Sequence, residues 1–94
     1  KFNEAVSLVV NRPNQAEVDR YWTRLSAGGD ERAEQCGWLK DRYGLSWQIV
    51  PTQLPELLSD RNPDKARRAM EAMLKMKKLD VEALRAAAEG VPAG

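Results

Sequence analysis

The chain has 94 residues with 15 basic and 14 acidic side chains. That size allows one domain, and the net charge of +1 gives no broad cationic field for nucleic acid or an acidic membrane. Histidine is absent and Cys36 is the lone cysteine, which excludes a histidine-based triad, a histidine zinc site and an internal disulfide.

No apolar run approaches the roughly 20 residues of a membrane-spanning helix. A cytoplasmic setting is expected, since the fold asks for no oxidising compartment. The chain lacks an initiating methionine and enters a strand almost at once, so it is expected to be a fragment, a trimmed piece or the ordered part of something longer.

Residues 4–10, "EAVSLVV", have the β-branched, alternating character of a strand. Val6, Leu8 and Val10 fall on one face; Ala5, Ser7 and Val9 fall on the other. "NRPN" breaks the strand, and Asn14 with Glu17 forms a capping-box-like start to a helix. Val18, Tyr21, Trp22 and Leu25 recur at helical spacing and give one apolar stripe. Gly28 and Gly29 stop that helix. "DERAEQ" at 30–35 is polar and reads as either a loop or a weak edge strand.

Trp38 to Lys40 reads as a strand, Asp41 to Gly44 as a turn, and Leu45 to Val50 as the returning strand. Leu45, Trp47 and Ile49 share one face, with Trp47 in the core. Ser46, Gln48 and Val50 share the other. Pro51 ends the strand because it cannot donate to the ladder.

The pattern then turns helical. Thr52 is a candidate cap for a short helix with Leu54, Leu57 and Leu58. Asn62 and Pro63 open a longer helix to about Lys78, with Ala66, Ala69, Met70, Met73 and Leu74 on one side. Asp80 caps a last helix around Leu84, and "GVPAG" is a fraying end. The methionines and lysines of "AMLKMKKLD" also suit a calmodulin-target or membrane-surface helix, but Asp64, Glu71 and Asp80 dilute the charge. Packing onto its own domain or a twin's is preferred. Together these elements make an α+β domain: a strand-rich part over 1–51, then a helical extension over 52–94 packed on the same domain or on a partner copy.

The order strand–helix–strand–strand–strand resembles the βαβββ module of the vicinal oxygen chelate superfamily, which includes glyoxalase I, bleomycin-resistance proteins and extradiol dioxygenases. "SLVVN" at 7–11, "EVDRYWTRLSAGG" at 17–29, "CGWLKDRYGLSWQIVP" at 36–51, "LPELLSD" at 54–60 and "KARRAMEAMLKMKKLD" at 65–80 resemble its PhnB-like branch. Members of that branch are often labelled 3-demethylubiquinone-9 3-methyltransferase domain proteins. The resemblance implies half of a fold in which two modules curl into a U-shaped cavity. This chain corresponds to the second module, and the first is expected to be absent, deleted or supplied by another chain.

Metal-using relatives take one ligand from the first strand of this module and a glutamate from the last. The corresponding positions here fall at or near Ala5, with Ser7 next on that face, and at Gln48. Alanine and serine are poor divalent-metal ligands, and a glutamine brings no charge. The resemblance therefore implies a site without the superfamily metal, and no cofactor is expected. A glycine-rich strand-to-helix loop for a nucleotide-like cofactor is absent, so the methyltransferase label gains no support.

The expected function is binding of a small organic molecule in a sheet-lined cavity by Gln48, Ser46, Trp38 and Ser7. One alternative is an enzyme whose catalytic residues lie in the other module. A second is a dimerisation module with no small-molecule site. A homodimer is expected in any case, because half a barrel leaves apolar sheet uncovered. Cys36 has no activating neighbour in the sequence and is not expected to be a nucleophile. Glu17 already serves the helix cap, which discounts an acid pair with Glu4.

Overall fold

The computed structural model describes residues 7–90. Glu4, Ala5 and Val6, and the end of the chain from Val91, lie outside the described residues. The architecture is α+β, with a small sheet first and helices after it. Among the described residues the sheet has three strands in the order β1-β3-β2. Strand β1 is Leu8–Arg12, β2 is Trp38–Lys40 and β3 is Ser46–Pro51. β1 runs parallel to β3, with Leu8 beside Trp47 and Val10 beside Ile49. β2 runs antiparallel to β3, with Leu39 opposite Trp47 and Trp38 opposite Gln48.

Alternation then sorts the side chains as expected. Leu8, Val10, Leu39, Trp47 and Ile49 share the face under helix α1, Gln15–Ser26. Val18, Trp22, Leu39 and Ile49 form a buried cluster there, with Val10, Tyr21, Leu25 and Trp47 packed around it. Burying each large aliphatic side chain stabilises the fold by about 1.5–3 kcal/mol, which makes this cluster the main support of the sheet.

Local signals fix the helix ends. Asn14 Oδ1 accepts from the Glu17 amide at 2.9 Å, as a cap should. The other half of the capping box is replaced: the Glu17 carboxylate pairs with Arg12 at 3.7 Å and Arg20 at 3.6 Å. Arg12 also lies over the Tyr21 ring, 4.8 Å from its centroid. Strand β1 thus continues through Asn11 and Arg12, past the expected break, because the Thr52 amide donates to the Arg12 carbonyl. The break falls at Pro13. After α1, Gly29 runs so close to the Lys40 backbone that a β-carbon there would overlap the Lys40 carbonyl oxygen.

Of the two readings of residues 30–35, the loop is the one that forms. Glu31–Ala33 make a short 3-10 turn capped by Asp30, followed by a single bridge between Gln35 and Trp38.

The C-terminal half holds helices α2 (Gln53–Leu58), α3 (Pro63–Met73) and α4 (Val81–Ala88). Asn62 and Asp80 cap α3 and α4 as expected. Thr52 precedes α2 but its side chain makes no capping bond. Helix α3 ends at Met73, short of the expected Lys78. Its last turns tighten, with Lys75 donating to Ala72 and Met76 to Met73. The Met76 and Lys77 carbonyls are then available to accept from the amides of Cys36 and Gly37 at 2.7 and 2.8 Å. Early helix termination thus supplies one of the links between the two halves of the chain.

The orientation of α3 also differs from the expected stripe. Ala69 is fully buried and Ala72 and Met73 pack inward, but Met70 and Leu74 are exposed. Leu54, Leu79 and Leu84 form a second buried cluster, which Val50 of β3 joins. Gln15 ties α1 to the same region: its Nε2 donates to the Leu79 carbonyl and its Oε1 accepts from the Val81 amide. Asp19 and Lys78 add an ion pair at 2.9 Å beside it.

Candidate functional site

The face of the sheet opposite α1 carries Ser7, Val9, Trp38, Lys40, Ser46, Gln48 and Val50, by the register of the three strands. Val50 is covered by the C-terminal cluster. Val9 is 55% exposed, and Ser7, Trp38 and Gln48 are half-buried. The four predicted site residues therefore share one face, but they divide into two groups.

Gln48 Nε2 donates to Ser7 Oγ at 2.9 Å, across the parallel pair. This bond crosses from the last strand to the first, and it occupies the amide nitrogen expected to face a ligand. Trp38 and Ser46 belong instead to a cleft of about 390 Å³ at the β2 edge. Arg32, Ala33 and Gln35 line it from the 3-10 segment; Leu39 and Lys40 complete it from β2. Gln48 and Ser7 lie outside that lining. Ser46 is 1% exposed, and its hydroxyl finds no hydrogen-bond partner among the described residues.

The sequence reading missed Arg32, Gln35 and Lys40. Arg32 and Gln35 sit in "DERAEQ", which has no periodicity to aim its side chains. Lys40 was placed on a strand without a face assigned to it. Alternation from Trp38 would have put it on the open side.

Asp41 organises the turn that ends β2. Its Oδ1 accepts from the amides of Tyr43 and Leu45, and its Oδ2 from Trp47 Nε1, at 2.9 to 3.0 Å. Desolvation alone pushes the Asp41 carboxyl up, but the Trp47, Leu45 and Tyr43 hydrogen bonds together outweigh it and hold the carboxyl below its ordinary value. Asp30 is also lowered, chiefly by the hydrogen bond from the Arg32 side chain and then by the Arg32 amide. The expected structural role for Asp41 is what its bonds describe.

Cys36 adopts a left-handed backbone, with φ of 52°, and its thiol lies 3.7 Å from the Leu74 carbonyl. Among the described residues no three histidine, cysteine, aspartate or glutamate side chains come together. The described oxygen donors on this face, Ser7, Ser46 and Gln48, bring no negative charge to a divalent cation.

A small sheet with one face under a helix and the other open, followed by helices, defines the class of domain. Residues 1–50 match the family described as 3-demethylubiquinone-9 3-methyltransferase. The chain belongs to that family, the PhnB-like one. The match ends one residue before the end of β3. No curated protein matches the chain. Among the described residues no helix is long and apolar enough to cross a membrane.

Proposed function

We propose that this chain is a glyoxalase-superfamily module that binds a small organic molecule on the sheet face opposite α1, without the superfamily metal. The observation that carries the reading is the gathering of polar and aromatic groups on the face opposite α1, part of which the C-terminal cluster covers at Val50. Ser7, Trp38, Ser46 and Gln48 all stand there, while Val10, Leu39, Trp47 and Ile49 of the same strands pack under α1. A cleft of about 390 Å³ at the β2 edge falls within the size range of small-ligand sites. In this reading Trp38 supplies a flat contact, and the Gln48–Ser7 pair presents a fixed hydrogen-bonding surface beside it. The chain works as a homodimer in the cytoplasm, with a second copy roofing the open face. The segment from residue 52 serves as a structural extension.

Methyl transfer, the activity in the family's description, draws no support from the local chain. The β1–α1 junction is Asn11-Arg12-Pro13-Asn14, with no glycine to cradle a cofactor. A self-association role without a ligand has one observation in its favour: β1 is an edge strand on which Leu8 and Val9 are both exposed.

Titration of the purified chain with 1-anilinonaphthalene-8-sulfonate tests the ligand reading. A saturable rise in dye fluorescence that weakens in Trp38→Ala is expected. A linear, unsaturated response, or one indifferent to Trp38→Ala, defeats it. Light scattering at low micromolar concentration tests the roof: a stable monomer there removes the second copy.

A further inference from the structure

The cleft beside β2 combines an aromatic wall with one polar group that the protein leaves without a partner. Trp38 and Ser46 both line it. Ser46 is 1% exposed, and its Oγ has no hydrogen-bond partner among the described residues. We propose that this hydroxyl is the polar anchor of the cleft, donating to the carbonyl oxygen of a small, flat, uncharged molecule whose ring lies against Trp38. This rests on the ligand-binding reading above and narrows it to one chemical class.

Strand register puts the two groups side by side. Ser46 stands opposite Lys40, and Trp38 lies two positions before Lys40 on β2, so Ser46 and Trp38 are diagonal neighbours on one face. That separation is within reach of an aromatic side chain, and a single substituted ring spans it. Bulk water does not solvate the Ser46 hydroxyl, yet the residue forms part of the cleft wall. Buried hydroxyls are nearly always paired, and an unpaired one costs the folded chain its lost hydration. An occupant that presents an acceptor removes that cost while it is bound.

The rest of the lining favours an acceptor without a charge. Arg32, Lys40 and Trp38 carry donors only, so an acceptor is what the polar lining is short of. The two cations are already engaged. Arg32 donates to Asp30 through Nε and Nη2 at 3.2 and 3.4 Å, and Lys40 has a partner of its own. A carboxylate at Ser46 would exchange its hydration for one neutral hydroxyl, whereas a ketone or amide oxygen has far less hydration to lose. The indole of Trp38 offers a flat apolar contact for the body of the molecule.

The test crosses a set of probes with one substitution. Acetophenone carries the carbonyl, ethylbenzene has nearly the same shape without it, and benzoate carries a charge. Each is titrated into the isotope-labelled chain, native and Ser46→Ala, and followed by NMR at the Trp38 indole N–H. Ser46→Ala deletes a hydroxyl that bonds to nothing, so the variant is expected to keep the native spectrum. Acetophenone is expected to shift the Trp38 signal and to bind about fivefold more weakly to Ser46→Ala, the worth of one neutral hydrogen bond, while ethylbenzene binding is unchanged. Benzoate is expected to bind more weakly than acetophenone. No loss of acetophenone affinity in Ser46→Ala, or an equal loss for ethylbenzene, overturns the anchor and leaves a ligand site at Trp38. Benzoate binding as tight as acetophenone, or tighter, overturns the uncharged class. No shift of the Trp38 signal by any of the three overturns the anchor and the ligand-binding reading together.

Discussion

On the α1 side of the sheet, Leu39 and Ile49 are sealed beneath Val18 and Trp22. On the other side of the same strands, Val9 is largely exposed, Gln48 bonds to Ser7, and Ser46 is buried with an unpaired hydroxyl. Residues 46 to 49 alternate between the two faces one by one. Helix α1 closes one face, while on the other Val50 packs into the C-terminal cluster. The other face keeps groups that contribute little to folding, and one that costs it free energy.

The comparison can be broken most directly at Ile49. Ile49→Ala is expected to cost about 3 kcal/mol, through lost burial and a residual cavity, whereas Val9→Ala stays within about 0.5 kcal/mol. Urea denaturation of the two variants checks it, and equal losses would erase the distinction between the faces.

The next effect belongs to the turn. Asp41→Ala orphans two amides and the Trp47 indole N–H, and is expected to cost about 2 kcal/mol. Asp41 also sharpens the pH dependence. A carboxylate held below its ordinary value stabilises the fold above the unfolded value near 4, and that contribution is lost as pH falls through the lowered value. Stability of the native chain is therefore expected to be flat from about pH 7 to 5 and to fall below about pH 4. The fall is shallower in Asp41→Ala, with Asp19 and Asp30 still contributing. Asp19 is lowered first by its hydrogen bond from Gln15 and then by Lys78.

On the open face the changes are smaller. Gln48→Ala removes one half-buried hydrogen bond and is expected to cost about 1 kcal/mol or less. Ser46→Ala is expected to stabilise the fold by about 0.5 kcal/mol, since it deletes a buried hydroxyl that has no partner. Thermal unfolding of the pair reads the sign directly: a loss on Ser46→Ala of the size seen for Ile49→Ala would mean that both faces serve the core.

Much of this layout was legible in the chain. Val18, Tyr21, Trp22 and Leu25 announced α1 by spacing, and Asn14, Asn62 and Asp80 announced helix starts, because each rests on interactions within one turn. Alternation placed Trp47 and Gln48 on opposite faces for the same reason. What was not legible depended on distant partners. Helix α3 stops at Met73, and the carbonyls of Met76 and Lys77 accept from the amides of Cys36 and Gly37, 40 positions earlier. Met70 and Leu74 have apolar spacing but point outward, since Ala69 and Met73 already fill the contact with the C-terminal cluster. Of the candidate residues, Trp38 and Ser46 line the cleft, and Gln48 and Ser7 lie outside its lining, bonded to each other. Arg32 entered through an irregular segment that carries no period to read.

The parallel union of β1 with β3 has a consequence for how the molecule assembles. Trp38 to Pro51 can close on itself as a hairpin, across the turn that Asp41 fastens, on a timescale of about microseconds. β1 has no such neighbour and must wait for a strand that lies beyond α1, so its docking carries the larger search entropy. During synthesis the N-terminal ribbon stays unzipped until Pro51 has left the ribosome. In the finished protein, its amides should be among the first in the sheet to trade their protons with solvent.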